Sequence, residues 1–458
     1  MRTLLAAILL SAIGPAAQSP PADTGTQHGA CVLAGGGKLP PVVFERFLAL
    51  AGGAGAAIVL VPTASQTADS DTENADTLRL YRERMPGAAI TLLHTRDRAV
   101  ADSEAFCAPL RNATGVWFTG GDQSRLADAY LGTRCEREVM AVLARGGVIG
   151  GTSAGTAIQT RVMIAGGRNP PEIATGFDCV PGAISDQHFL KRERLPRLLQ
   201  ALALQPGHFG IGVDEGSAAV GRHGSLLSTI GDSKVVLVLA AAGGFDELAI
   251  ELPPGTDLAL DGWRLAARQR AEQPMPPHGG PAQIGAGTLV LAGGSDRQRV
   301  AATFAEVIPD KAAPVIVLWS SKEPGLGFVK ALRECGCSDV RVTDLDPARP
   351  IPTDWIAGMA TAGGVWITGT DARQVLHAFA DAGARAALAG VLQRGGAVGD
   401  EGWAAASLGE VVTESAIPGR SDTPSLPLRG LALLSGNVID QPVTEVPVSC
   451  RLLRLRPS

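Results

Sequence analysis

Short apolar runs alternate with longer segments of helical periodicity along most of the chain. In the first half, the runs AAIVLVP, GVWFTGG and GGVIGGT are separated by segments such as QSRLADAYLG and CEREVMAVLARG, whose apolar positions recur at helical spacing. Continuous apolar strands with helical crossovers are typical of a parallel sheet that is covered on both faces. The pattern therefore predicts an α/β fold, a parallel sheet flanked by helices, with functional sites beyond the carboxyl ends of the strands. The polar, glycine-containing turns at 120–123 and 151–153 fall at two such ends.

The same order of motifs occurs twice along the chain. VLAGG at 32–36 returns at 290–294, GVWFTG at 115–120 as GVWITG at 364–369, VLARGGVIG at 142–150 as VLQRGGAVG at 391–399, and GFDCVPGAISDQHF at 176–189 as GLALLSGNVIDQPV at 430–443. Four matches in one order predict a tandem duplication of a single domain. The predicted divisions are a leader and tail at 1–24, a catalytic domain at 25–270, a Pro/Gly-rich linker at 271–286 and a second copy at 287–458.

The N-terminus has the order of a secretory signal peptide. Arg2 precedes a short apolar run from Leu4 to Ile13, and small residues follow near Ala16 and Ala17. This run is too short to span a bilayer as a stable helix, although it would also suit a buried first helix. We expect a secreted or periplasmic protein that is not attached to a membrane after cleavage.

Composition narrows the classes of partner and cofactor. A length of 458 residues favours two domains, and a net charge of -5 argues against nucleic acid as the main partner. The seven cysteines form no Cys-x-x-Cys zinc pattern, so we expect neither a metal nor another cofactor. An exported chain could form a disulfide, but the spacing does not determine which cysteines pair.

The segment GGVIGGTSAGTAIQT at 146–160 passes from a strand to a helix through a tight turn that carries Ser153. Such a turn is typical of a held nucleophile, and also of an ordinary glycine-rich connection. The duplication separates the two interpretations, because the second copy keeps the strands and turns but loses the reactive side chains together. It has Gly402, Ala372 and Pro442 at the positions of Ser153, Gln123 and His188.

A serine nucleophile needs a base within hydrogen-bond reach. His188 is the best candidate among the histidines of the first copy, because it alone lies in a polar, charge-dense loop. A third group should orient the imidazole, and Glu215 in GIGVDEGSA is the candidate, with Asp214 and Asp186 as rivals. In α/β-hydrolases the acid precedes the histidine, so the order Ser, His, Glu differs from that of an ordinary esterase.

Four segments resemble the signature blocks of the cyanophycinases, which are serine exopeptidases related to aspartyl dipeptidase (dipeptidase E). They are FTGGDQSRL, GGTSAGTA, DQHFLKRERLPRLL and GIGVDEGSA, within about residues 28–265. The resemblance implies a sheet similar to that of class I glutamine amidotransferases. It implies a nucleophile, base and acid at Ser153, His188 and Glu215, an oxyanion hole at Gly121 or Asp122 and at Ala154, and substrate contacts at Gln123, Asp186, Arg192, Arg194 and Arg197.

The resemblance also implies a substrate. Cyanophycin is a polyaspartate whose side chains carry arginine through isopeptide bonds, so it presents carboxylates and guanidinium groups. Three arginines follow the candidate base in an acidic chain, and arginine suits bidentate capture of carboxylates, whereas Asp186 would complement a guanidinium group. The implied reaction is release of β-aspartyl-arginine from this Asp/Arg polymer.

Three alternatives stay open. The chain could be an exported aspartyl dipeptidase with the same triad, or a non-catalytic binding or scaffold protein. The arginines could simply form a solvated helix face. We expect the second copy to be inactive and to pair with the first as an intrachain pseudo-dimer.

Overall fold

The computed structural model describes residues 29–272, 286–292, 297–319, 326–345, 350–368, 372–415, 425–438 and 452–455. The chain divides into two units. The first comprises the residues up to Ala242 together with Asp246–Asp257, and the second comprises Gly243–Phe245 and the residues from Leu258 onward. The predicted leader at 1–24, most of the predicted linker at 271–286 and Pro442 lie outside the described residues.

The first unit alternates strands and helices up to residue 144 and then becomes richer in strands. Its strands are β1 Ala30–Ala34, β2 Ala57–Val61, β3 Ala89–Leu92, β4 Gly115–Phe118, β5 Val148–Thr152, β6 Val162–Gly166, β7 Glu172–Thr175, β8 Ala183–Gln187, β9 Phe209–Val213, β10 Ser217–Arg222, β11 Leu226–Gly231, β12 Val235–Leu239 and β13 Leu248–Leu252, followed at the boundary by β14 Asp257–Ala259. Its α-helices are α1 Pro41–Leu50, α2 Asp71–Arg84, α3 Arg98–Ala101, α4 Glu104–Arg111, α5 Gln123–Tyr130, α6 Arg134–Ala144, α7 Ala154–Ala157 and α8 Leu195–Leu204, with a 3-10 turn at Gly53–Gly55.

A largely parallel sheet forms the centre of the first unit, as the apolar runs predicted. Strands β1, β5, β4, β2 and β3 are neighbours in that order and run parallel. Except for the edge strand β3, they are almost wholly buried, which explains their uninterrupted apolar sequences. Phe44 and Phe47 of α1 pack on Trp117 of β4, with the rings of Phe47 and Trp117 4.9 Å apart and nearly perpendicular.

The rest of the first unit differs from the single parallel sheet expected from the sequence. Strands β10 and β11 extend the central sheet in antiparallel fashion beside β1. A second sheet has the order β13-β12-β9-β8, in which β8 and β9 are parallel, and β6 and β7 form a separate hairpin. Apolar alternation predicts a strand without specifying its partner, so the pattern did not separate these strands from the central sheet.

The carboxyl ends of β1, β4 and β5 lie at one edge of the central sheet, because these strands are parallel neighbours. The edge therefore gathers the loop at 35–37, the loop at 120–122 and the turn at Ser153. The second sheet is attached at the same place, because the N–H of His188, which follows β8, donates to the Gly35 carbonyl at 2.8 Å.

The second unit repeats the alternation of strands and helices. Its strands are β15 Thr288–Ala292, β16 Val315–Trp319, β17 Val340–Asp344, β18 Gly364–Thr368, β19 Ala397–Glu401, β20 Gly409–Ser415, β21 Ser425–Arg429, β22 Leu434–Val438 and β23 Leu452–Leu455. Its helices are α9 Asp261–Glu272, α10 Arg297–Val307, α11 Leu326–Glu334, α12 Thr353–Met359, α13 Ala372–Ala378 and α14 Ala382–Gln393, with a 3-10 segment at Gly402–Leu408.

The main sheet of the second unit has the order β17-β16-β18-β19-β15-β23. Its first five strands are parallel, and β23 is antiparallel to β15. Read from β15, the order β15-β19-β18-β16-β17 matches the order β1-β5-β4-β2-β3 of the first unit position for position. A three-stranded sheet with the order β21-β20-β22 completes the second unit.

The boundary between the units falls earlier than the sequence suggested. The segment 258–270, assigned from the sequence to the catalytic domain, forms α9 and part of β14 in the second unit. The Gln269 amide exchanges hydrogen bonds of 2.9 and 2.6 Å with the Arg429 backbone, and the Arg270 guanidinium lies 4.8 Å from the Phe245 ring centre. A helical pattern does not reveal the core against which the helix packs.

Cysteines, metal ligands and membrane spans were searched over the described part of the chain. The six cysteines described there are free thiols, so the disulfide left open by the sequence is absent among them. No group of three or more His, Cys, Asp or Glu side chains in the described ranges is arranged to hold a metal. No single described helix has both the length and the apolarity to cross a membrane; α13 and α14, which meet at 105°, reach these limits only as a pair, on length and composition alone.

Candidate active site

Ser153 occupies a sharp turn between β5 and α7. Its backbone angles are φ 53° and ψ −110°, a conformation that residues with a side chain rarely adopt. The turn is held by its own hydrogen bonds: the Ser153 N–H donates to Ala34 at 3.0 Å, and its carbonyl accepts from Thr156 and Ala157 at 2.9 and 3.0 Å. This is the strand-to-helix arrangement that presents a serine hydroxyl beyond the edge of a sheet.

Ser153, His188 and Glu215 form a continuous chain of hydrogen bonds. The Ser153 Oγ lies 2.9 Å from the His188 Nε2, and the His188 Nδ1 lies 2.7 Å from the Glu215 Oε1. Glu215 fixes the tautomer, since a proton on Nδ1 donates to the carboxylate and leaves Nε2 free to accept from the serine hydroxyl. The structure thus brings together three residues that lie far apart in the sequence.

Asp214 and Asp186, the rival acids, have other partners. The two carboxylate oxygens of Asp214 accept from the Lys191 N–H at 2.9 Å and from the Ser233 hydroxyl at 2.8 Å. Asp214 therefore holds the loop that follows His188, and Glu215 is the carboxylate that contacts the imidazole.

Two glycines at the end of β1 make room for the histidine and the glutamate. Gly36 has φ 104°, and a Cβ placed there would lie 2.4 Å from the Cε1 of His188. A Cβ at Gly37 would lie 2.8 Å from an oxygen of Glu215. The sequence analysis did not identify either residue as part of the site. The only signal was the triple glycine after an apolar strand, which by itself indicates a turn.

The pKa of His188 lies below its ordinary value of 6.5, chiefly because burial disfavours the charged imidazole. The hydrogen bond to Glu215 opposes this effect, while the positive charges of Arg192 and Arg194 reinforce it. At neutral pH the imidazole is therefore uncharged and able to accept a proton, as a general base must be.

We expect kcat/KM to fall on the acid side with an apparent pKa below 6.5, the pH range in which His188 becomes protonated. Arg192→Ala should shift this limb to higher pH, because it removes a cation that disfavours the imidazolium. The measurement is the pH profile of kcat/KM for the wild type and for Arg192→Ala. The apparent pKa of the acid limb is compared, not the maximal value of kcat/KM. A wild-type limb above pH 6.5, or an unmoved limb in the variant, would contradict the assignment of His188.

Backbone donors surround the serine. Gly120 packs against Ser153, since a Cβ at Gly120 would lie 3.6 Å from the Ser153 Cβ, and Gly121 has φ 141°. The Asp122 N–H donates to the Ala64 carbonyl at 2.9 Å, so this N–H is already engaged. Of the three predicted oxyanion donors, Gly121 and Ala154 are the two whose N–H groups have no acceptor among the described residues.

Gln123 is also tied to the protein. Its Nε2 donates to the carbonyls of Ile164 and Ala165, at 2.8 and 2.5 Å. Its amide nitrogen therefore anchors β6 rather than facing outward, and only its carbonyl oxygen is left for the predicted substrate contact.

The position of Asp186 differs from the role inferred for it. The side chain is 0% exposed, and its oxygens accept from Arg194 Nη1 at 3.1 Å, from Arg197 Nε at 2.9 Å and from Arg197 Nη2. Asp186 thus does not present a carboxylate to a substrate guanidinium group, because two arginines of the same chain already occupy it. The three predicted substrate-binding arginines therefore fall into two groups. Arg194 and Arg197 are paired with Asp186, whereas Arg192 is exposed.

Arg197→Ala should lower the free energy of unfolding by about 3 kcal/mol, because it leaves the buried Asp186 carboxylate short of a partner. Arg197 is 11% exposed at its side chain, whereas Arg137, which pairs with Asp102, is 63% exposed. Arg137→Ala is therefore the matched control, with an expected loss below about 1 kcal/mol. Denaturant unfolding measures both variants, and equal losses would show that the buried pair contributes no more than a surface pair.

A serine on a strained strand-to-helix turn, with a buried histidine and a carboxylate behind it, defines the site of a serine hydrolase. The profile of peptidase family S51 matches residues 32–228. The cyanophycinase of Trichormus variabilis is 34% identical over 205 residues, which cover 43% of this chain and 67% of the relative. The cyanophycinase of Geminocystis herdmanii is 33% identical over 234 residues, which cover 49% of this chain and 84% of the relative. The chain belongs to peptidase family S51 and is a serine-type peptidase.

Solved structures give a weaker likeness. A peptidase from an acI-B1 Actinobacterium is 24% identical, with a TM-score of 0.43 over 51% of this chain and 98% of the other. A putative peptidase E protein from Listeria monocytogenes is 14% identical, with a TM-score of 0.31 over 49% of this chain and 99% of the other.

Proposed function

We propose that the first unit hydrolyses cyanophycin, or a closely related Asp/Arg polymer, to β-aspartyl-arginine through an acyl-enzyme on Ser153. The observation that carries the proposal is the hydrogen-bonded chain from Ser153 through His188 to Glu215, at 2.9 and 2.7 Å. The substrate class is supported by two cyanophycinases at 33–34% identity. It is also supported by the exposed Arg192, whose backbone N–H donates to the His188 carbonyl at 3.0 Å.

The proposed reaction begins at Ser153. The His188 Nε2 takes the hydroxyl proton as the serine Oγ forms a bond with the carbonyl carbon of the scissile amide. The carbonyl oxygen gains the negative charge, and the N–H groups of Gly121 and Ala154 donate to it. Glu215 stabilises the imidazolium that forms beside it.

The same histidine completes the cycle. It returns the proton to the leaving nitrogen as the carbon–nitrogen bond breaks, which leaves the acyl group as an ester on Ser153. A water molecule then gives a proton to His188 and attacks the ester. The product carboxylate is released, and the serine regains its proton from His188.

We also propose that the second unit is a duplicated and catalytically inactive copy. In each unit a buried tryptophan meets a phenylalanine at 4.9 Å, Trp117 with Phe47 and Trp366 with Phe304, and the two main sheets share one strand order. Gly402 follows β19 where Ser153 follows β5, so the second unit offers no hydroxyl at that position. A class I glutamine amidotransferase-like sheet, pairing of the two units as a pseudo-dimer and export by the leader stay predictions.

The test is to incubate the purified protein with cyanophycin and to identify the soluble products by mass spectrometry. We expect β-aspartyl-arginine from the wild type and release slower on the order of 10³-fold or more from the Ser153→Ala protein. A simple aspartyl dipeptide is offered in parallel. Cleavage of the dipeptide alone would identify an aspartyl dipeptidase, and cleavage of neither would reject the proposed substrate.

A further inference from the structure

The predicted oxyanion donor Gly121 rests on the segment that follows β2. The next residue, Asp122, donates its N–H to the Ala64 carbonyl at 2.9 Å. A Cβ placed on Gly121 would overlap the same carbonyl, so the two backbones are in direct contact. Two residues earlier, the Thr119 N–H donates to the Val61 carbonyl at 3.1 Å. The turn that carries the Gly121 N–H is therefore held on both sides by the end of β2 and the segment after it.

Two arginines hold this segment by three consecutive carbonyls. The Arg125 Nη1 donates to the Ala64 carbonyl at 3.0 Å. Arg96, which follows β3, donates from Nη1 to the Thr63 carbonyl at 3.2 Å and from Nη2 to the Ser65 carbonyl at 2.8 Å. A guanidinium group suits this task, because its N–H donors point outward from one rigid plane. Arg96 therefore fixes the residues on both sides of Ala64.

Arg96 is itself held by a carboxylate and a histidine. Its Nε donates to the Asp69 Oδ2 at 2.7 Å, and the Asp69 Oδ1 lies 3.0 Å from the His94 Nε2. The His94 Nδ1 lies 2.8 Å from the hydroxyl of Thr63, which is fully buried. Arg96 thus contacts the main chain of Thr63 while His94 contacts its side chain. The guanidinium group is therefore oriented before a substrate binds, as a preorganised site requires.

We propose that Arg96 is a positioning residue for the oxyanion hole, because it fixes the Ala64 peptide against which Gly121 packs. The proposal rests on the proposed function, in which the Gly121 N–H donates to the developing oxyanion. None of the hydrogen bonds that Arg96 makes to described residues reaches the catalytic triad. Its effect therefore falls on the transition state, where the negative charge develops, and not on the binding of uncleaved substrate.

The kinetic test compares Arg96 with Arg98, which also donates to two backbone carbonyls but at the far end of α5. The Arg98 Nη1 and Nη2 donate to the carbonyls of Asp128 and Leu131, each at 2.7 Å. Arg96→Ala should lower kcat/KM on cyanophycin about tenfold, because the Gly121 N–H is displaced but still present. Arg96→Lys should lower it only about threefold, since an ammonium group keeps the charge but not the two-carbonyl geometry. Arg98→Ala should leave kcat/KM unchanged.

A binding measurement separates this role from a merely structural one. The affinity for a soluble oligomer of aspartyl-arginine units is measured by calorimetry in the Ser153→Ala protein, with and without Arg96→Ala. We expect equal dissociation constants, because the carbonyl of uncleaved substrate has not yet gained its charge. Binding that weakens as much as kcat/KM falls would overturn the proposal, and so would an unchanged kcat/KM in a folded Arg96→Ala protein. If the alanine variant does not fold, a wild-type kcat/KM in Arg96→Lys would overturn it.

A fluorophosphonate keeps the role of Arg96 separate from the identity of the substrate. The Ser153 Oγ forms a bond with phosphorus as fluoride leaves, the hydroxyl proton passes to His188, and the phosphoryl oxygen enters the oxyanion hole. Mass spectrometry of the Ser153 peptide gives the rate, which Arg96→Ala should lower about tenfold and Arg98→Ala should not change. If the wild type reacts without cleaving cyanophycin, the proposed substrate is wrong and this rate decides on Arg96. A wild type that does neither would reject the serine mechanism and the role of Arg96 together.

Discussion

Ser153→Ala should lower kcat/KM on the order of 10³-fold or more while the protein remains folded. The variant loses the atom proposed to attack the scissile carbonyl, whereas the turn keeps its backbone hydrogen bonds to Ala34, Thr156 and Ala157. Alanine has the same backbone restrictions as serine, so the φ of 53° adds no new strain.

Kinetics of the purified variant measure this loss, and circular dichroism checks the fold. Ser225→Ala in the β10–β11 turn is a suitable control, because this serine has no contact with the candidate site and its Oγ only reaches the His223 carbonyl at 3.4 Å. Turnover near that of the wild type in a folded Ser153→Ala protein would exclude Ser153 as the nucleophile.

His188→Ala should cause a loss as large as that of Ser153→Ala, and the double variant should be hardly worse than either single variant. The reason is that the hydroxyl and the imidazole act as one unit, linked at 2.9 Å, so the removal of one leaves nothing for the other to do. Residual hydrolysis would come from the oxyanion donors and from substrate binding, which all three proteins keep.

The two single variants and the double variant are compared by their kcat/KM values for the same substrate under the same conditions. If the two single losses multiplied in the double variant, Ser153 and His188 would be acting independently. Glu215→Gln offers an internal check, because the amide keeps the shape of the side chain but cannot stabilise an imidazolium.

The local pattern of apolar and polar residues was sufficient to predict the strands and helices nearest to the candidate site. The apolar runs predicted β2, β4 and β5, the segments between them predicted α5 and α6, and all five elements are present. Ser153 could be selected because its glycine-rich turn follows a strand and because the second copy predicted from the sequence has Gly402 at the matching position. In both cases the signal lies within a few residues or in the internal repeat.

Contacts between distant segments could not be predicted in the same way. In the sequence, Gly36 lies in a segment that indicates an ordinary turn. Its role is evident only in the fold, where His188, which follows β8, lies against it. Asp186 and Arg197 are eleven residues apart, and their pairing depends on the burial of β8 beneath α8. Whether an arginine meets a buried aspartate or a substrate is decided by tertiary packing, which charge spacing does not encode.

The most direct test of the account is to trap the acyl-enzyme. The wild-type protein is mixed with cyanophycin, quenched in acid during turnover, digested and analysed by mass spectrometry. We predict a covalent adduct on the peptide that contains Ser153 and on no other peptide of the chain, and its absence from the His188→Ala protein. An adduct on a different residue, or steady release of product with no adduct at Ser153, would contradict the proposed mechanism.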